Sequence, residues 1–497
     1  MNRIFIFILL SSLLCAGSTF AQDLLRHQIN AVSKQDQLLE LAQVLEASDH
    51  GVEPEQLQSR SYAGRAAVSL QSMFSSQEGS WAFEPFVHNG MFRVIANYQT
   101  HHPKVVFLSG GGITLSQLYA ALGDDRIMSK HKDGYLLSYP LLIAPGAALN
   151  LENVVLYLRI QSGTALINQG DLKLQHSTLT SWSGGNQADV EQSFRPFVIA
   201  WAGSRTRIVD SSLTRLGYKA HLSQGLTLAH SLQQASNLPP PILLIQRSKM
   251  SEMASGAGLQ RALARIENSQ FEAMQQYAID LQDSRVSVIG NRITDIKNQS
   301  AVRIRGASSG VLERNIITDT GKAGIEVQEQ QGDLVLRNNT IGSTHGNGIL
   351  LRRITSQSNE RLLLVKNYIS NTTGSSIDGE SVNSAYIIDN TISSTPEYAI
   401  SFQSGNTPTR LFLATNQLDN IGKAMIRTKG VEQILLGNNH YRMAKTNQQL
   451  MGGDLMPIQS LLMETTVINN CFIEVHVAIN LKTGLYIDVP NECRRGG

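Results

Sequence analysis

The feature that most constrains the fold is a repeat of roughly 24 residues in the second half of the chain. Asparagines recur at intervals of 23, 24, 24, 28, 23, 26 and 23 residues, at Asn268, Asn291, Asn315, Asn339, Asn367, Asn390, Asn416 and Asn439. A second marker, a small residue before an apolar one, keeps step with them at Ala278-Ile279, Ala301-Val302, Gly324-Ile325, Gly348-Ile349, Ser376-Ile377, Ala399-Ile400 and Ala424-Met425. Such a period predicts a parallel β-helix in which each repeat is one coil.

The recurring asparagines are predicted to be structural. Asparagine tolerates the left-handed backbone conformation of a tight bend. Amides stacked along the axis can also hydrogen-bond from coil to coil, as in other side-chain ladders. A leucine-rich repeat has a similar period, but it needs a dense leucine consensus that this chain lacks.

We divide the chain into a signal peptide (1–21), a mixed, largely helical region (22–102), the β-helix (103–442) and a C-terminal cap (443–497). One apolar helical face in the second part is formed by Leu38, Leu39, Leu41, Val44 and Leu45, and Gly51 is a plausible stop after it. This region would serve as an N-terminal cap or a partner surface.

Short strands are predicted at 105–108, 141–144 and 172–175. Residues 233–260, which contain Pro239-Pro240-Pro241, break the repeat and predict a long loop over one face. In the cap we expect a helix near 456–463 and strands at 472–479 and 485–489. Such a cap would cover the open end of the solenoid, where strand edges and core are otherwise exposed.

The net charge and the first residues of the chain indicate where the protein is located and which classes of partner it can have. A formal net charge of +2 without a basic stripe argues against a nucleic-acid partner. Arg3, the apolar run 4–14 and the small residues before Gln22 are typical of a secretory signal. No later stretch has transmembrane length, so we expect an exported, periplasmic protein without membrane insertion.

Removal of Cys15 with the signal leaves Cys471 and Cys493. In an oxidising compartment these two are expected to form a disulfide; the alternative is two free thiols. Neither cysteine has the close Cys or His spacing of a zinc site, so no metal is expected, and no motif indicates a cofactor.

The segment Ala301 to Gly306 carries the strongest functional signal. Alternation along a strand places Val302 and Ile304 on one face and Arg303 and Arg305 on the other. Two adjacent guanidinium groups suit carboxylate oxygens. Read coil by coil, the predicted outward stripe is Asp280/Gln282, Arg303/Arg305, Glu326/Gln328, Leu350/Arg352, Asp378/Glu380 and Ser401/Gln403. Its alternating signs fit either cross-strand ladders or a polysaccharide groove.

Several ordered motifs resemble the periplasmic mannuronan C5-epimerases of alginate biosynthesis. They are Arg195-Pro196-Phe197, Ile199-Ala200-Trp201-Ala202-Gly203, Ile208-Val209-Asp210 through Leu216-Gly217-Tyr218, Val106-Phe107-Leu108-Ser109-Gly110-Gly111, and the segment Ala165 to Trp182. The resemblance extends over roughly 103–440. It implies an all-β, right-handed parallel β-helix of the pectin-lyase type that handles an anionic polyuronate during export, with other periplasmic export proteins as possible partners.

The family's catalytic signature, Asp-Pro-His-Asp, would fall on the strand of Arg303 when small residues are matched to small residues. Its histidine would then be replaced by Arg305, and an arginine of the next coil by Glu329. We therefore expect a family member without the usual base. The expected polymer-binding residues are Arg303, Arg305, Arg352, Asp280, Gln282, Glu326 and Gln328.

If the protein is an enzyme, C5 epimerisation or lysis needs a base and a proton donor on opposite faces of the sugar. The candidate catalytic residues are Arg305, His221 and Tyr218, with Tyr277 as another possible donor. Three hypotheses stay open: a polyuronate-binding protein, an active epimerase or lyase with relocated residues, and a structural scaffold of an exopolysaccharide secretion complex.

Overall fold

The computed structural model describes residues 26–47, 51–58, 60–73, 82–86, 88–99, 102–184, 194–231, 237–355, 361–405, 408–442, 449–478, 485–490 and 493. The predicted signal peptide lies outside these residues. Among the helices described, none is both long and apolar enough to cross a membrane.

The chain winds into a parallel β-helix, as predicted, and successive coils add one strand to each of three long sheets. The first, which we call the groove sheet, contains 15 strands: Ala67–Ser72, Lys104–Ser109, Leu141–Ile143, Leu166–Asn168, Val198–Trp201, Gly225–Ala229, Ser255–Gln260, Ile279–Gln282, Val302–Arg305, Ile325–Gln328, Ile349–Ile354, Ile377–Val382, Ile400–Gln403, Ala424–Lys429 and Gln449–Gly453.

The second, which we call the strap sheet, contains 16 strands: Gly111–Thr114, Ala147–Glu152, Asp171–Gln175, Arg205–Val209, Ile242–Gln246, Leu263–Glu267, Arg285–Ile289, Ser309–Glu313, Leu334–Arg337, Leu362–Val365, Ser384–Ile388, Arg410–Ala414, Gln433–Gly437, Phe472–Ala478, Arg26–Val32 and Leu485–Asp488. The third sheet contains 14: Met128–His131, Gly134–Leu137, Val155–Arg159, Thr178–Trp182, Ser212–Thr214, Lys249–Ser251, Gln270–Met274, Arg292–Ile296, Ile316–Thr320, Thr340–Thr344, Tyr368–Thr372, Thr391–Thr395, Gln417–Ile421 and His440–Arg442.

The core is a stack of apolar rows, because alternate side chains of every strand point inward. One row of fully buried residues follows the groove sheet through Ile279, Val302, Ile325, Ile349 and Ile377. The small marker residue precedes this row for a steric reason. A Cβ on Gly324 would lie 2.5 Å from the Ile341 side chain, and one on Gly348 would lie 2.4 Å from that of Ile369.

The asparagines form a buried ladder, but not in the conformation that we predicted. Asn315 accepts a hydrogen bond from the Asn291 amide nitrogen at 3.0 Å, and donates its own side chain to Asn339 Oδ1 at 2.9 Å. The left-handed residue is the one before each asparagine, such as Arg314 (φ 53°) and Lys366 (φ 53°). The asparagine side chain must instead point inward, where its amide bridges two coils.

The first repeat asparagine is consequently out of register. Asn268 occupies the left-handed position (φ 50°), and Ser269 is the ladder residue, donating its amide to Asn291 Oδ1 at 3.0 Å. Earlier coils continue the ladder with serine, since Ser211 donates its amide to Ser248 Oγ at 3.1 Å. A serine ladder therefore precedes the asparagine ladder, and asparagine spacing alone could not reveal it.

The N-terminal region runs along the rod as a strap and also supplies a strand at each end. Its first strand, Arg26–Val32, pairs antiparallel with Phe472–Ala478 at the C-terminal end. At the other end of the rod, Ala67–Ser72 pairs antiparallel with Lys104–Ser109. The parallel stacking of the groove sheet at one end, and of the strap sheet at the other, is thus followed by antiparallel strands.

Between these strands the strap crosses the outer face of the strap sheet. Helix α1 (Lys34–Ala47) matches the predicted helix and buries Leu41 and Val44. Leu38 and Leu39 are 43% and 59% exposed, so the apolar face is narrower than predicted. Farther along, the Val52 amide donates to Ser287 Oγ at 2.7 Å, and the Tyr62 hydroxyl donates to Asp171 at 2.8 Å.

The remaining described helices of the N-terminal half are α2 (Met91–Gln99) and α3 (Leu115–Leu122), with 3₁₀ turns at Pro54–Leu57, Glu84–Phe86 and Ile160–Ser162. Helix α3 begins with a capping box, in which the Thr114 and Gln117 side chains each accept a hydrogen bond from the other's backbone amide.

The prediction of a long loop at 233–260 is wrong for most of these residues. Residues 232–236 are not described, but the chain then forms the strands Ile242–Gln246, Lys249–Ser251 and Ser255–Gln260. The strand Ser255–Gln260 contains several small residues, so this coil lacks a clear apolar pattern in the sequence. Gly256 is needed because a Cβ there would lie 2.6 Å from the ring of Phe271, which fills the core of the next coil.

The C-terminal cap has the predicted order of a helix and two strands. A 3₁₀ turn (Met456–Ile458), helix α4 (Gln459–Met463) and a π turn (Glu464–Ile468) precede the strands Phe472–Ala478 and Leu485–Asp488. The first of these strands is antiparallel to Gln433–Gly437 and ends the parallel stacking of the strap sheet. Cys471 and Cys493 form a disulfide.

Candidate functional site

Two rows of outward side chains on the groove sheet form a polar surface that we call the groove stripe. The first row is Gly258, Asp280, Arg303, Glu326, Leu350, Asp378, Ser401, Arg427 and Gly452. The second row is Gln260, Gln282, Arg305, Gln328, Arg352, Glu380, Gln403 and Lys429. The pairing reproduces the register of the predicted stripe and extends it by one coil toward the N-terminus. Toward the C-terminus it extends the second row by one coil and the first row by two.

The groove stripe begins where an apolar cover ends. In the earlier coils the same row is Ile167, Ile199 and Thr227, followed by Gly258. Ile167 and Ile199 are buried in a cluster that includes Phe83 and Phe86 from outside the coils, among others. The Phe86 ring centroid lies 4.9 Å from that of Phe197. From Asp280 onward the row is mostly polar, with Leu350 as an apolar member.

Asp280 is the centre of the stripe's tightest cluster. Arg303 donates to both oxygens of its carboxylate, with Nε to Oδ1 at 2.9 Å and Nη2 to Oδ2 at 2.6 Å. The guanidinium carbon of Arg303 also lies 4.0 Å from the centre of the Tyr277 ring. A bidentate ion pair and a cation–π contact together fix the guanidinium group in one orientation.

Arg305 is held much less tightly. Its Nη2 lies 3.4 Å from Asp280 Oδ2, and its Nε has no hydrogen-bond partner. On the next coil the buried Glu326 accepts a hydrogen bond from Ser300 Oγ at 2.6 Å and another from Gln328. The carboxylates nearest Arg305 thus already have partners, and Arg305 retains unused donor capacity.

Arg352 forms a second cluster with two carboxylates. Its Nη2 lies 2.9 Å from Asp378 and its Nε lies 3.3 Å from Glu380. One positive charge facing two negative ones makes this part of the stripe acidic. Arg352 lies two coils from Arg305 in the same row, and its role in polymer binding stays a prediction.

Burial and charge set the protonation of the central cluster. Burial disfavours the charge of Arg303, but hydrogen bonding and attraction to Asp280 outweigh it and raise the pKa of the guanidinium group. Burial also raises the pKa of the Tyr277 phenol, although Arg303 opposes this shift. Tyr277 is therefore a protonated phenol at neutral pH, able to donate a proton but not to accept one.

Tyr218 and His221 are not brought to the arginine pair. Tyr218 packs against Phe194 and Phe197 within the apolar cover, and its hydroxyl donates to the Asn89 carbonyl at 2.8 Å. Burial raises its pKa to about 12. His221 is exposed in the turn before Gly225–Ala229. That strand lies three strand steps from Val302–Arg305, or about 14 Å.

Sequence reasoning missed Arg427 and Lys429, which continue the two rows of the stripe. The signal was present, because the small-then-apolar marker at Ala424-Met425 is followed by Arg427 and Lys429, two residues apart as Arg303 and Arg305 are. The marker does not give the register of this coil, because the coil is irregular and Ile400 pairs with Ile426 rather than with Met425.

The stripe offers guanidinium, ammonium, amide and carboxylate groups, a set suited to binding an acidic, hydroxyl-rich chain. Both rows lie within the described residues, and neither contains a histidine. Among the residues that the structure describes, no group of three or more His, Cys, Asp or Glu side chains could hold a metal ion.

Comparison with known proteins agrees with this architecture. Residues 253–420 match the family described as "Right handed beta helix region". Among curated proteins, the mannuronan C5-epimerase of Pseudomonas putida is 23% identical over 302 residues, covering 58% of this chain and 57% of the relative. The mannuronan C5-epimerase AlgG of Azotobacter vinelandii is 30% identical over 132 residues, covering 25% of each.

Solved structures give a broader match. The periplasmic alginate epimerase AlgG superposes with a TM-score of 0.65 at 15% identity, covering 80% of this chain and 95% of that one. A single-substitution mutant of AlgG gives a TM-score of 0.68 at 16% identity, covering 81% and 97%. The curated matches span between about a quarter and just over half of those relatives' lengths. The chain is therefore a right-handed β-helix protein related in sequence and fold to the mannuronan C5-epimerases.

Proposed function

We propose that the groove stripe binds an anionic polysaccharide of the polyuronate class in the periplasm and does not change its sugars. The observation that carries the proposal is the state of Arg305, whose guanidinium group has a single contact of 3.4 Å to Asp280 and whose side chain is 31% exposed. Its Nε is buried, so a uronate carboxylate would bind the guanidinium nitrogens that face solvent. The relatives named mannuronan C5-epimerase indicate the class of sugar.

A binding role is favoured over epimerisation because proton abstraction next to a carboxylate needs a base that titrates near neutral pH. Neither row of the stripe supplies an imidazole. Asp280 is occupied by two arginines, and Glu326 by Ser300 and Gln328. Arginine stays protonated in proteins. The groups around Arg305 thus hold and orient a carboxylate but do not remove a proton.

The periplasmic location rests on the signal-like first residues and on the neighbours described as periplasmic. The exported polymer would then meet the protein in the periplasm, as it is secreted. Association with other export proteins would fit this role.

Calorimetry with polymannuronate, together with NMR of the recovered polymer, tests the proposal. The wild-type protein is expected to bind without new guluronate signals or unsaturated ends. Arg305→Ala should weaken binding about tenfold, the effect of losing one hydrogen bond to a charged group. Arg442→Ala is the matched control, since it removes an exposed arginine from the third sheet.

Two outcomes would contradict the proposal. Conversion of mannuronate that disappears in Arg305→Ala would make the protein an enzyme. Absence of binding to polymannuronate and to other polyuronates would instead favour a scaffold whose charged stripe serves only as cross-strand ladders.

A further inference from the structure

A second tyrosine–arginine pair repeats the central cluster at the C-terminal end of the stripe. Arg427 pairs with Ser401 in the same row in which Arg303 pairs with Asp280. Tyr398 precedes Ser401 by three positions, as Tyr277 precedes Asp280. The guanidinium carbon of Arg427 lies 5.3 Å from the centre of the Tyr398 ring. The two clusters are thus built on one geometric plan.

The difference lies in what faces the arginine. Ser401 stands in place of Asp280, and Arg427 Nη1 lies 3.3 Å from its hydroxyl oxygen. Lys429 is exposed and pairs in register with the neutral Gln403. Among the described residues, no salt bridge includes Arg427 or Lys429, whereas Arg303 and Arg305 share Asp280. Two positive charges therefore remain without a bonded carboxylate on their own sheet.

The acidic groups nearby are already engaged. Asp378 and Glu380, two coils earlier, contact Arg352. Glu397 forms a salt bridge with Lys423 beside Tyr398. Asp454 attracts Lys429, but its carboxylate accepts a hydrogen bond from the Gly430 amide, and burial raises its pKa. This end of the stripe is consequently its most positive part.

The geometry points to a second carboxylate subsite formed by Tyr398, Arg427 and Lys429, which takes a uronate residue of the same polymer chain. This inference rests on the function proposed above. Five strand steps separate Arg427 from Arg303, a distance of roughly 24 Å. A polymer lying lengthwise would contact both clusters, and the second contact would be intramolecular, which increases the overall affinity.

Binding of mannuronate oligosaccharides of two lengths, a trisaccharide and a dodecasaccharide, tests the subsite by calorimetry on the full chain. In the wild-type protein the longer oligosaccharide should bind at least about tenfold more tightly, because it reaches both clusters. Arg427→Ala with Lys429→Ala should remove most of that advantage. Arg442→Ala, an exposed arginine on another sheet, should retain it.

Arg427→Gln alone, which keeps most of the side-chain volume, is the second variant if the double variant unfolds, and thermal unfolding monitors the fold of each. A double variant that keeps the full advantage of the longer oligosaccharide would overturn the subsite while leaving polyuronate binding intact. A wild-type protein that binds neither oligosaccharide would overturn both proposals.

Discussion

Arg303 and Asp280 face each other on adjacent coils and form a two-point salt bridge, with Nε to Oδ1 at 2.9 Å and Nη2 to Oδ2 at 2.6 Å. The arginine that stands out in the sequence therefore already has a carboxylate partner within the protein. Its neighbour Arg305 shares the same carboxylate through a longer contact. Polymer binding at this position must compete with Asp280.

Replacing the internal carboxylate should strengthen polymer binding. Asp280→Asn keeps the side-chain shape but removes the negative charge, so we expect polymannuronate to bind several-fold more tightly in calorimetry. The free energy of unfolding should fall by about 1–3 kcal/mol, because Arg303 loses charge-assisted hydrogen bonds. Asp319→Asn, at an exposed residue of the third sheet, is the control. Unchanged affinity in Asp280→Asn would mean that neither arginine contacts the polymer.

The buried ladder should make a large contribution to stability. The Asn339 side chain donates to the Leu312 carbonyl and to Asn367, and accepts from the amide of Asn315. Asn339→Ala leaves several buried polar groups unsatisfied, so we expect a loss of about 3 kcal/mol or more, measured by guanidinium denaturation. Asn298→Ala, whose hydrogen bond to Gln275 is exposed, should cost less than about 1 kcal/mol. Equal losses in the two variants would contradict a structural ladder.

Stability should decline at high pH through Tyr218. Its pKa is raised to about 12 in the folded protein, against 10.0 in a free side chain. Between these values the unfolded chain has released the proton while the folded protein still holds it. Stability therefore falls as pH rises, by at most about 1.4 kcal/mol per pH unit. Tyr218→Phe should show a shallower decline in unfolding midpoints from about pH 9 to about 11.5. Parallel curves would contradict the assignment.

Reduction of the disulfide should loosen the C-terminal end. Cys471 and Cys493 are 22 residues apart, and closing a loop of this size contributes about 3 kcal/mol. Under reductant, the amides of Leu485–Asp488, which pair with Arg26–Val32, should exchange hydrogen faster. A Cys471→Ser, Cys493→Ser protein should exchange at the fast rate with or without reductant. If neither reduction nor mutation changes the exchange rate of these amides, the strand is held in place independently of the disulfide.

Part of the candidate site could be predicted from local pattern. Alternation places Val302 inside and Arg303 outside, and the repeat length aligns Arg303 with Asp280 and Glu326. Which of these side chains bond to one another could not be predicted, because cross-strand neighbours lie on both sides of every residue. The structure pairs Arg303 with Asp280, leaves Glu326 to Ser300 and Gln328, and so makes Arg305 the less constrained arginine.

The sequence by itself determined the coil, since period and alternation are properties of the chain taken residue by residue. Only the tertiary structure decided three other features: the strap joining both ends of the rod, the burial of Tyr218 under Phe194 and Phe197, and the left-handed bend that shifts the ladder from Asn268 to Ser269. Each depends on contacts between segments far apart in the chain, or on a backbone angle that several residue types can adopt. Spacing along the sequence carries neither kind of information.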